Sequence, residues 1–328
     1  MKKPNKGTII FISIIAVIVL LLVVSLKKPA AKNSPSDMQA SAISMVEGQR
    51  SDFIAQILLE GEITSVGKTY NQEWLLTTIN SLKDNPKNKA IALFINSPGG
   101  AVYEADEVYL ALKDYKNAGK LIYVYQGSMA ASGGYYISCA ANQIYANRNT
   151  LTGSIGVIAG QSLDLTELFK RYGIKSETIH AGANKNMGNY NEPLTDEQRA
   201  ILQSIADECY DQFTQIVSQE RGIKIEDVRK LADGRIYTAK QALELKLIDK
   251  ISSLQEMLDE LKLAVGNQNI SVVKFEVPKK KDNFLELLGN LSSMAESSLN
   301  EQTVLPYIPK KIKEELDSPV TVPSYIYR

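Results

Sequence analysis

The chain has 328 residues, which is enough for one or two domains with a sizeable core. Its 37 Lys and Arg residues balance 37 Asp and Glu residues, so the formal net charge is zero and nothing in the charge favours binding to nucleic acid. Two cysteines, Cys139 and Cys209, are too few for a disulfide framework and lack metal-site spacing, so we predict no metal and no cofactor.

The first apolar segment is long enough to cross a membrane. Ile9 to Leu26 carries no charge, and eighteen helical residues span about 27 Å. Lysines rather than a small-residue cleavage site follow it, which predicts an uncleaved anchor at 7–27 after a short cytoplasmic segment at 1–6. Lysines flank the anchor on both sides, so the positive-inside rule hardly decides its orientation. The short N-terminal segment favours a single-pass protein with its N-terminus in the cytoplasm and its large domain outside the cell.

Beyond the anchor, residues 28–51 are polar and contain proline, which predicts a linker. From 52 to 265, short apolar strands alternate with amphipathic helices, a pattern typical of an α/β domain with a parallel sheet. The predicted elements are strands at 52–64, 90–95, 121–125 and 143–146, helices at 71–86, Val102 to Asn117 and Gly134 to Ala141, and a long helix with Thr195 as N-cap and Glu197 or Gln198 in a capping box.

The last segment, 266–328, is predicted to hold a strand at 270–278, a helix at 282–299 and an extended tail. The tail, SPVTVPSYIYR, is β-branched and carries little charge. Two interpretations stay open for it: a flexible terminus, or a strand in a substrate groove of the same or a neighbouring subunit.

Two glycine-rich loops each follow a predicted strand and precede a helix, at 99–100 and at 133–134. This is the carboxyl edge of a parallel sheet, where α/β folds bind ligands, so we expect both loops to face one crevice. Ser132, in MAASGGYY, is either a nucleophile or a small residue at a crowded helix start. The N–H of Gly133 and an N–H of the first loop are natural donors for an oxyanion.

A serine nucleophile needs a base, and the sequence offers two kinds. Ser132, Asp164 and His180 follow the chain order of α/β-hydrolase triads, with His180 the only histidine. The alternative is a lysine. At an ordinary pKa of about 10.4, roughly one lysine in 2,500 is neutral at pH 7. A lysine base must therefore be desolvated until its pKa falls by about 3, which costs about 4 kcal/mol. The residues alone do not choose among the lysines.

Five motifs occur in the order and approximate spacing of the signal peptide peptidase A family, which this sequence resembles over residues 53–265: INSPGG, SMAASGGYYIS, TGSIGV, AGANKNMG followed by PLTDEQ, and DGRIYT. The resemblance implies a membrane-bound bacterial serine–lysine peptidase of the short, single-copy form. It also implies a Clp-protease/crotonase-like fold of repeated ββα units. The sequence departs from the family at Ala239 and Lys246, where glycine is usual, and both positions look structural.

The resemblance also implies residue roles. Ser132 matches the nucleophile, Lys185 the general base, and Ser154 a serine whose hydroxyl orients that lysine. The backbone N–H groups of Gly100 and Gly133 match the oxyanion hole.

The implied activity is acyl-enzyme hydrolysis of remnant signal peptides in or at the membrane. The family further implies a homo-oligomeric ring in which the serine of one protomer meets the lysine of the next, with the lipid bilayer as a second partner through Ile9 to Leu26. A crotonase-type acyl-CoA enzyme and a non-catalytic membrane scaffold are the other interpretations that the pattern allows.

Overall fold

The computed structural model describes residues 35–67, 69–278 and 324–326. Residues 38–277 and 319–328 form one compact unit, and the second unit, 1–37 with 278–318, lies almost wholly outside the described residues. The predicted anchor and the helix predicted at 282–299 also lie outside them. Within the described part, no helix is both long enough and apolar enough to cross a bilayer.

The helices and strands alternate along most of the chain, as the sequence predicted. The helices are α1 (Pro35–Glu47), α2 (Gln72–Asp84), α3 (Val102–Asn117), α4 (Gly133–Ser138), α5 (Thr166–Tyr172), α6 (Asp196–Arg221), α7 (Ile225–Leu231), α8 (Ala239–Glu244) and α9 (Leu254–Ala264). The strands are β1 (Phe53–Glu60), β2 (Asn88–Ser97), β3 (Gly99–Ala101), β4 (Leu121–Ala131), β5 (Gln143–Ala146), β6 (Leu151–Gly153), β7 (Ile236–Thr238), β8 (Lys250–Ile251), β9 (Ser271–Phe275) and β10 (Ser324–Ile326).

One eight-stranded sheet organises the unit, in the order β7-β6-β4-β2-β1-β9, with β5 on β4 and β8 on β5. Every pairing in it is parallel except β6 with β7. The α/β class with a parallel-rich sheet is therefore confirmed. A bulge between Ile95 and Ser97 divides the β2–β4 pairing, and the far part of β4 then pairs with β6.

The predicted helix faces pack on this sheet. In α2, Trp74, Leu75, Ile79 and Leu82 are buried, as their helical spacing predicted. The side chain of Asn71 caps this helix by accepting a 2.8 Å hydrogen bond from the N–H of Trp74. The helix predicted at Gly134 to Ala141 is shorter, ending at Ser138, and hydrogen-bonded turns continue it to Ala141.

The segment predicted as a linker contains a helix, α1. Ala42 and Val46, four residues apart, are buried in the main core, and the side chain of Asn85 donates a hydrogen bond to the carbonyl oxygen of Val46. The prediction of a linker was therefore wrong for these residues. The polar composition gave no sign of the helix, because only a narrow apolar stripe of it contacts the domain.

The longest helix, α6, has two different halves. Thr195 and Gln198 form the predicted capping box at its start, and Phe213, Ile216 and Val217 are buried near its end.

Between residues 158 and 209 no large apolar side chain is buried. We call residues 158–209 the exposed segment.

Candidate active site

The candidate site is built at the carboxyl ends of three neighbouring strands. Ser97 at the end of β2 pairs with Ala130 on β4, and Ala131 at the end of β4 pairs with Gly153 on β6. The glycine-rich loops follow β2 and β4 directly, so the predicted position of both loops at this edge is confirmed.

The backbone of Ser132 is held in a strained conformation between β4 and α4. Its φ is 54° and its ψ is −117°, a region that residues with side chains rarely occupy. Such a conformation costs about 1–3 kcal/mol and persists where surrounding contacts enforce it, most often at functional sites. Here the N–H of Ser132 donates a 2.7 Å hydrogen bond to Gly153, and its carbonyl oxygen accepts one of 2.9 Å from Tyr136.

The side chain of Ser132 is 1% exposed, and its hydroxyl has no hydrogen-bond partner in the described structure. A serine at a helix N-cap ordinarily accepts a hydrogen bond from a backbone N–H of the first turn. Ser132 occupies the N-cap of α4 and makes no such bond. A buried hydroxyl without a partner is unfavourable for stability, so a purely structural role does not explain this residue.

Two glycines bring backbone against backbone beside Ser132. A Cβ atom on Gly133 would lie 3.3 Å from the nitrogen of Gly100. A Cβ atom on Gly100 would lie 1.9 Å from the carbonyl oxygen of Ile63, so only glycine fits there. The two predicted oxyanion donors therefore lie close together, next to the candidate nucleophile.

Ile63 sets the direction of Gly100. The N–H of Ile63 donates to the carbonyl oxygen of Gly99, and the N–H of Ala101 donates to the carbonyl oxygen of Ile63, each at 2.8 Å. Because peptide groups alternate along a strand, the N–H and C=O of Gly100 point to the opposite side of β3. Sequence reasoning missed Ile63, since a backbone contact of this kind leaves no residue-type signal.

The strand β10 lies on that opposite side of β3. It pairs with β3 in antiparallel orientation, with Tyr325 opposite Gly100 and Ile326 opposite Gly99. Of the two interpretations of the tail, the extended strand is therefore the one observed for residues 324–326. The strand lies along the edge to which the Gly100 N–H points.

Ser154 is the second serine with a positive φ, at 50°, and it directly follows β6. It is buried, and its N–H donates a 2.8 Å hydrogen bond to the carbonyl oxygen of Arg235. The third such residue in the described part is Lys246, with a φ of 61°, where the resembled family usually has glycine. Two of the three strained positions are thus predicted site residues.

Lys185 lies apart from these residues. It is exposed, in a turn closed by the hydrogen bond from its N–H to the carbonyl oxygen of Gly182. The residues on either side of Lys185 are held by side-chain hydrogen bonds. The amide of Asn184 donates to Glu197 at 3.1 Å, and the amide of Asn186 donates to Glu192. Because the Ser132 hydroxyl has no partner in the described chain, Lys185 does not bond to it within one protomer.

The alternative triad residues are also apart from Ser132. Asp164 is exposed and accepts a 2.9 Å hydrogen bond from the N–H of Thr166, and hydrogen bonding by Thr166 lowers the pKa of this carboxyl. His180 is exposed, with its Nδ1 3.2 Å from the carbonyl oxygen of Gly182. Neither side chain bonds to Ser132.

In the residues that the structure describes, no group of three or more His, Cys, Asp or Glu side chains is arranged to hold a metal ion.

The parallel-rich α/β fold is consistent with a Clp-protease-like fold, and it places the buried, strained Ser132 beside the paired glycines. The Clp protease family pattern matches residues 46–165, and the peptidase family S49 pattern matches residues 114–268.

Curated relatives carry matching names. The protein named "Putative signal peptide peptidase SppA" in Enterococcus faecium is 32% identical over 240 residues, covering 71% of this chain and 70% of that protein. The Haemophilus influenzae protein named "Protease 4" is 31% identical over 239 residues, covering 71% of this chain and 38% of that protein. The Arabidopsis thaliana protein named "Serine protease SPPA, chloroplastic" is 30% identical over 67% of this chain and 33% of its own length. The chain belongs to peptidase family S49 and is a serine protease.

Proposed function

We propose that the protein is a serine–lysine endopeptidase with Ser132 as nucleophile and Lys185 as general base. The observation that carries this proposal is the buried, unpartnered hydroxyl of Ser132 next to the backbones of Gly100 and Gly133. A hydroxyl in this position is free to attack a carbonyl carbon whose oxygen lies between the two glycine N–H groups.

The reaction follows the acyl-enzyme route. Neutral Lys185 takes the proton of Ser132 while the serine oxygen attacks the peptide carbonyl, and the N–H groups of Gly100 and Gly133 stabilise the oxyanion. The C–N bond then breaks, and the lysine ammonium returns its proton to the leaving amine. Water, deprotonated by the same lysine, hydrolyses the acyl-enzyme ester and restores the serine. Ser154 orients the lysine.

The base comes from a neighbouring protomer. Lys185 is exposed in its own chain, whereas a lysine base must lose water to become neutral near pH 7. It lies in the exposed segment, where eight of the fourteen exposed large apolar side chains of the described chain are found: Ile158, Leu163, Leu168, Tyr172, Ile174, Ile179, Tyr190 and Ile205. Ile179 is 95% exposed. Clustered exposed apolar side chains are typical of protein interfaces, and a second copy that covers them would also desolvate Lys185.

Substrates bind by strand addition to β3. The pairing of β10 with β3 supports this mode, because a short segment of extended chain already uses that edge. A peptide on this edge presents its carbonyl groups to the N–H of Gly100. We therefore propose that residues 324–326 occupy the substrate groove and compete with substrates for it.

The substrates are remnant signal peptides, and the site works at the outer face of the bacterial membrane. The apolar stretch from Ile9 to Leu26 supports this, because an anchor of that length would hold the domain close to peptides left in the bilayer. The name of the Enterococcus faecium relative agrees with this substrate class.

The proposal is tested with the full-length protein in lipid vesicles. A synthetic signal peptide placed in the bilayer is compared with a polar, soluble peptide of equal length, and the products are followed by mass spectrometry. We expect faster cleavage of the signal peptide by the wild type and none by Ser132→Ala. Equal or faster cleavage of the polar peptide would contradict the membrane substrate class, and cleavage by Ser132→Ala would contradict the nucleophile.

A further inference from the structure

We propose that Tyr136 is a positioning residue that couples the nucleophile to α6, the helix that follows the Lys185 turn. This inference rests on the proposed function, since it assigns a role relative to Ser132 and Lys185.

The backbone and ring of Tyr136 fix the position of Ser132. Its N–H donates the 2.9 Å hydrogen bond to the carbonyl oxygen of Ser132 and so holds the strained peptide. Its ring is fully buried and makes edge contacts with Tyr109 on α3 and Phe213 on α6, at centroid distances of 5.4 and 5.1 Å. Any movement of this ring therefore acts on the backbone of the nucleophile.

The hydroxyl of Tyr136 joins α4 to the two flanking helices. It donates a 2.6 Å hydrogen bond to Asp106 on α3 and accepts one of 2.6 Å from the side-chain amide of Gln212 on α6. Bonds to a carboxylate are stronger than bonds between neutral groups, so Asp106 fixes the hydroxyl and Gln212 ties α6 to it.

Helix α6 contacts the Lys185 turn near its start and Tyr136 in its second half. Asn184 donates a hydrogen bond to Glu197 in the first turn of α6, and Gln212 and Phe213 in the second half of the same helix contact Tyr136. The turn that carries the base and the residue that holds the nucleophile are thus attached to one helix. When a second copy covers the exposed segment, this helix sets the position of Ser132 through Tyr136.

The test compares Tyr136→Phe with Tyr109→Phe in the full-length protein. Both variants keep a buried ring and lose one hydroxyl that bonds to a carboxylate, since the Tyr109 hydroxyl donates to Glu220 at 2.8 Å. The readouts are kcat and KM for peptide hydrolysis and the thermal midpoint. We expect Tyr136→Phe to lower kcat about tenfold with KM unchanged, because small displacements of a nucleophile are costly. Tyr109→Phe should leave kcat near the wild-type value at a similar thermal midpoint.

Equal kcat in the two variants would overturn the inference, as would a loss in Tyr136→Phe that only follows a lower thermal midpoint. If Tyr136→Phe does not fold, Gln212→Ala decides, because Gln212 is exposed and its loss removes only the bond to α6. Reduced kcat at wild-type stability supports the coupling, and wild-type kcat overturns it. Failure of the proposed function is read separately, from activity that persists in Ser132→Ala.

Discussion

The N–H of Ser132 donates a 2.7 Å hydrogen bond to the carbonyl oxygen of Gly153, the residue that precedes Ser154. Both serines have positive φ angles, and they leave the ends of the paired strands β4 and β6. The candidate nucleophile and the serine proposed to orient its base are therefore held by one hydrogen bond between neighbouring strands. Strain at both positions is maintained by the sheet rather than by local sequence preference.

Replacing Gly100 by alanine should abolish most of the activity. The new Cβ atom would lie 1.9 Å from the carbonyl oxygen of Ile63, so β3 must shift, and the N–H of residue 100 must leave the position that we propose for the oxyanion. Loss of one oxyanion donor lowers kcat about 100-fold. The control is Gly67→Ala, where the nearest atom would be 3.5 Å away, an ordinary contact. Wild-type kcat in Gly100→Ala would contradict the assignment of this N–H.

Mixing two inactive variants should restore activity if the catalytic residues come from different protomers. Ser132→Ala and Lys185→Ala chains are each inactive alone, whereas a mixed oligomer contains interfaces with an intact serine facing an intact lysine. Dissociating and reassembling the two variants together, then measuring peptide hydrolysis, tests this. No recovery in oligomers shown to contain both chains would place the two residues in the same protomer or outside the mechanism.

Removing the tail should raise the rate of peptide hydrolysis. The strand β10 uses the edge of β3 that we assign to substrates, so a chain lacking residues 318–328 has this edge free. A synthetic peptide of residues 319–328, added to the shortened protein, should inhibit it competitively. A peptide of the same composition in scrambled order is the control. Unchanged activity after the deletion would show that the tail does not occupy the substrate groove.

The ion pair between Lys113 and Glu220 should make part of the stability dependent on pH. Burial raises the pKa of Glu220, but hydrogen bonds from Lys113 and Tyr109 outweigh burial and hold the pKa below its usual value of 4.5. A carboxyl with a lowered folded pKa stabilises the fold above its usual value, and this stabilisation is lost as the pH falls through the folded pKa.

Urea unfolding of the wild type, Glu220→Gln and the exposed-site control Glu244→Gln between pH 7 and 3 measures this dependence. The Glu220 variant should be less stable at pH 7 and should lose less stability below pH 4.5 than the other two proteins. Parallel stability curves for all three would exclude a contribution from this pair.

Much of the fold could be predicted from local sequence patterns. The apolar positions of α2 have helical spacing, Thr195 and Gln198 form a recognisable capping box for α6, and the glycine loops follow apolar strands. Helix α1 could not be predicted, because it depends on packing of Ala42 and Val46 against residues far away in the chain.

The candidate site could be predicted in residue type but not in conformation. The motif marks Ser132 as small and flanked by small residues, yet its positive φ is held by backbone hydrogen bonds to Gly153 and Tyr136 that the motif does not reveal. The tail offered two interpretations because an extended, low-charge segment can pair with any open strand edge. Only tertiary structure gives the register that sets Tyr325 opposite Gly100.

The central claim is that Ser132 and Lys185, and not His180, carry the chemistry. The most direct measurement is peptide hydrolysis by the wild type and by Ser132→Ala, Lys185→Ala and His180→Ala at equal concentration of folded protein. The serine–lysine mechanism predicts that the first two variants are inactive and that His180→Ala keeps wild-type activity. An inactive His180→Ala together with an active Lys185→Ala would contradict it and favour the triad of Ser132, Asp164 and His180.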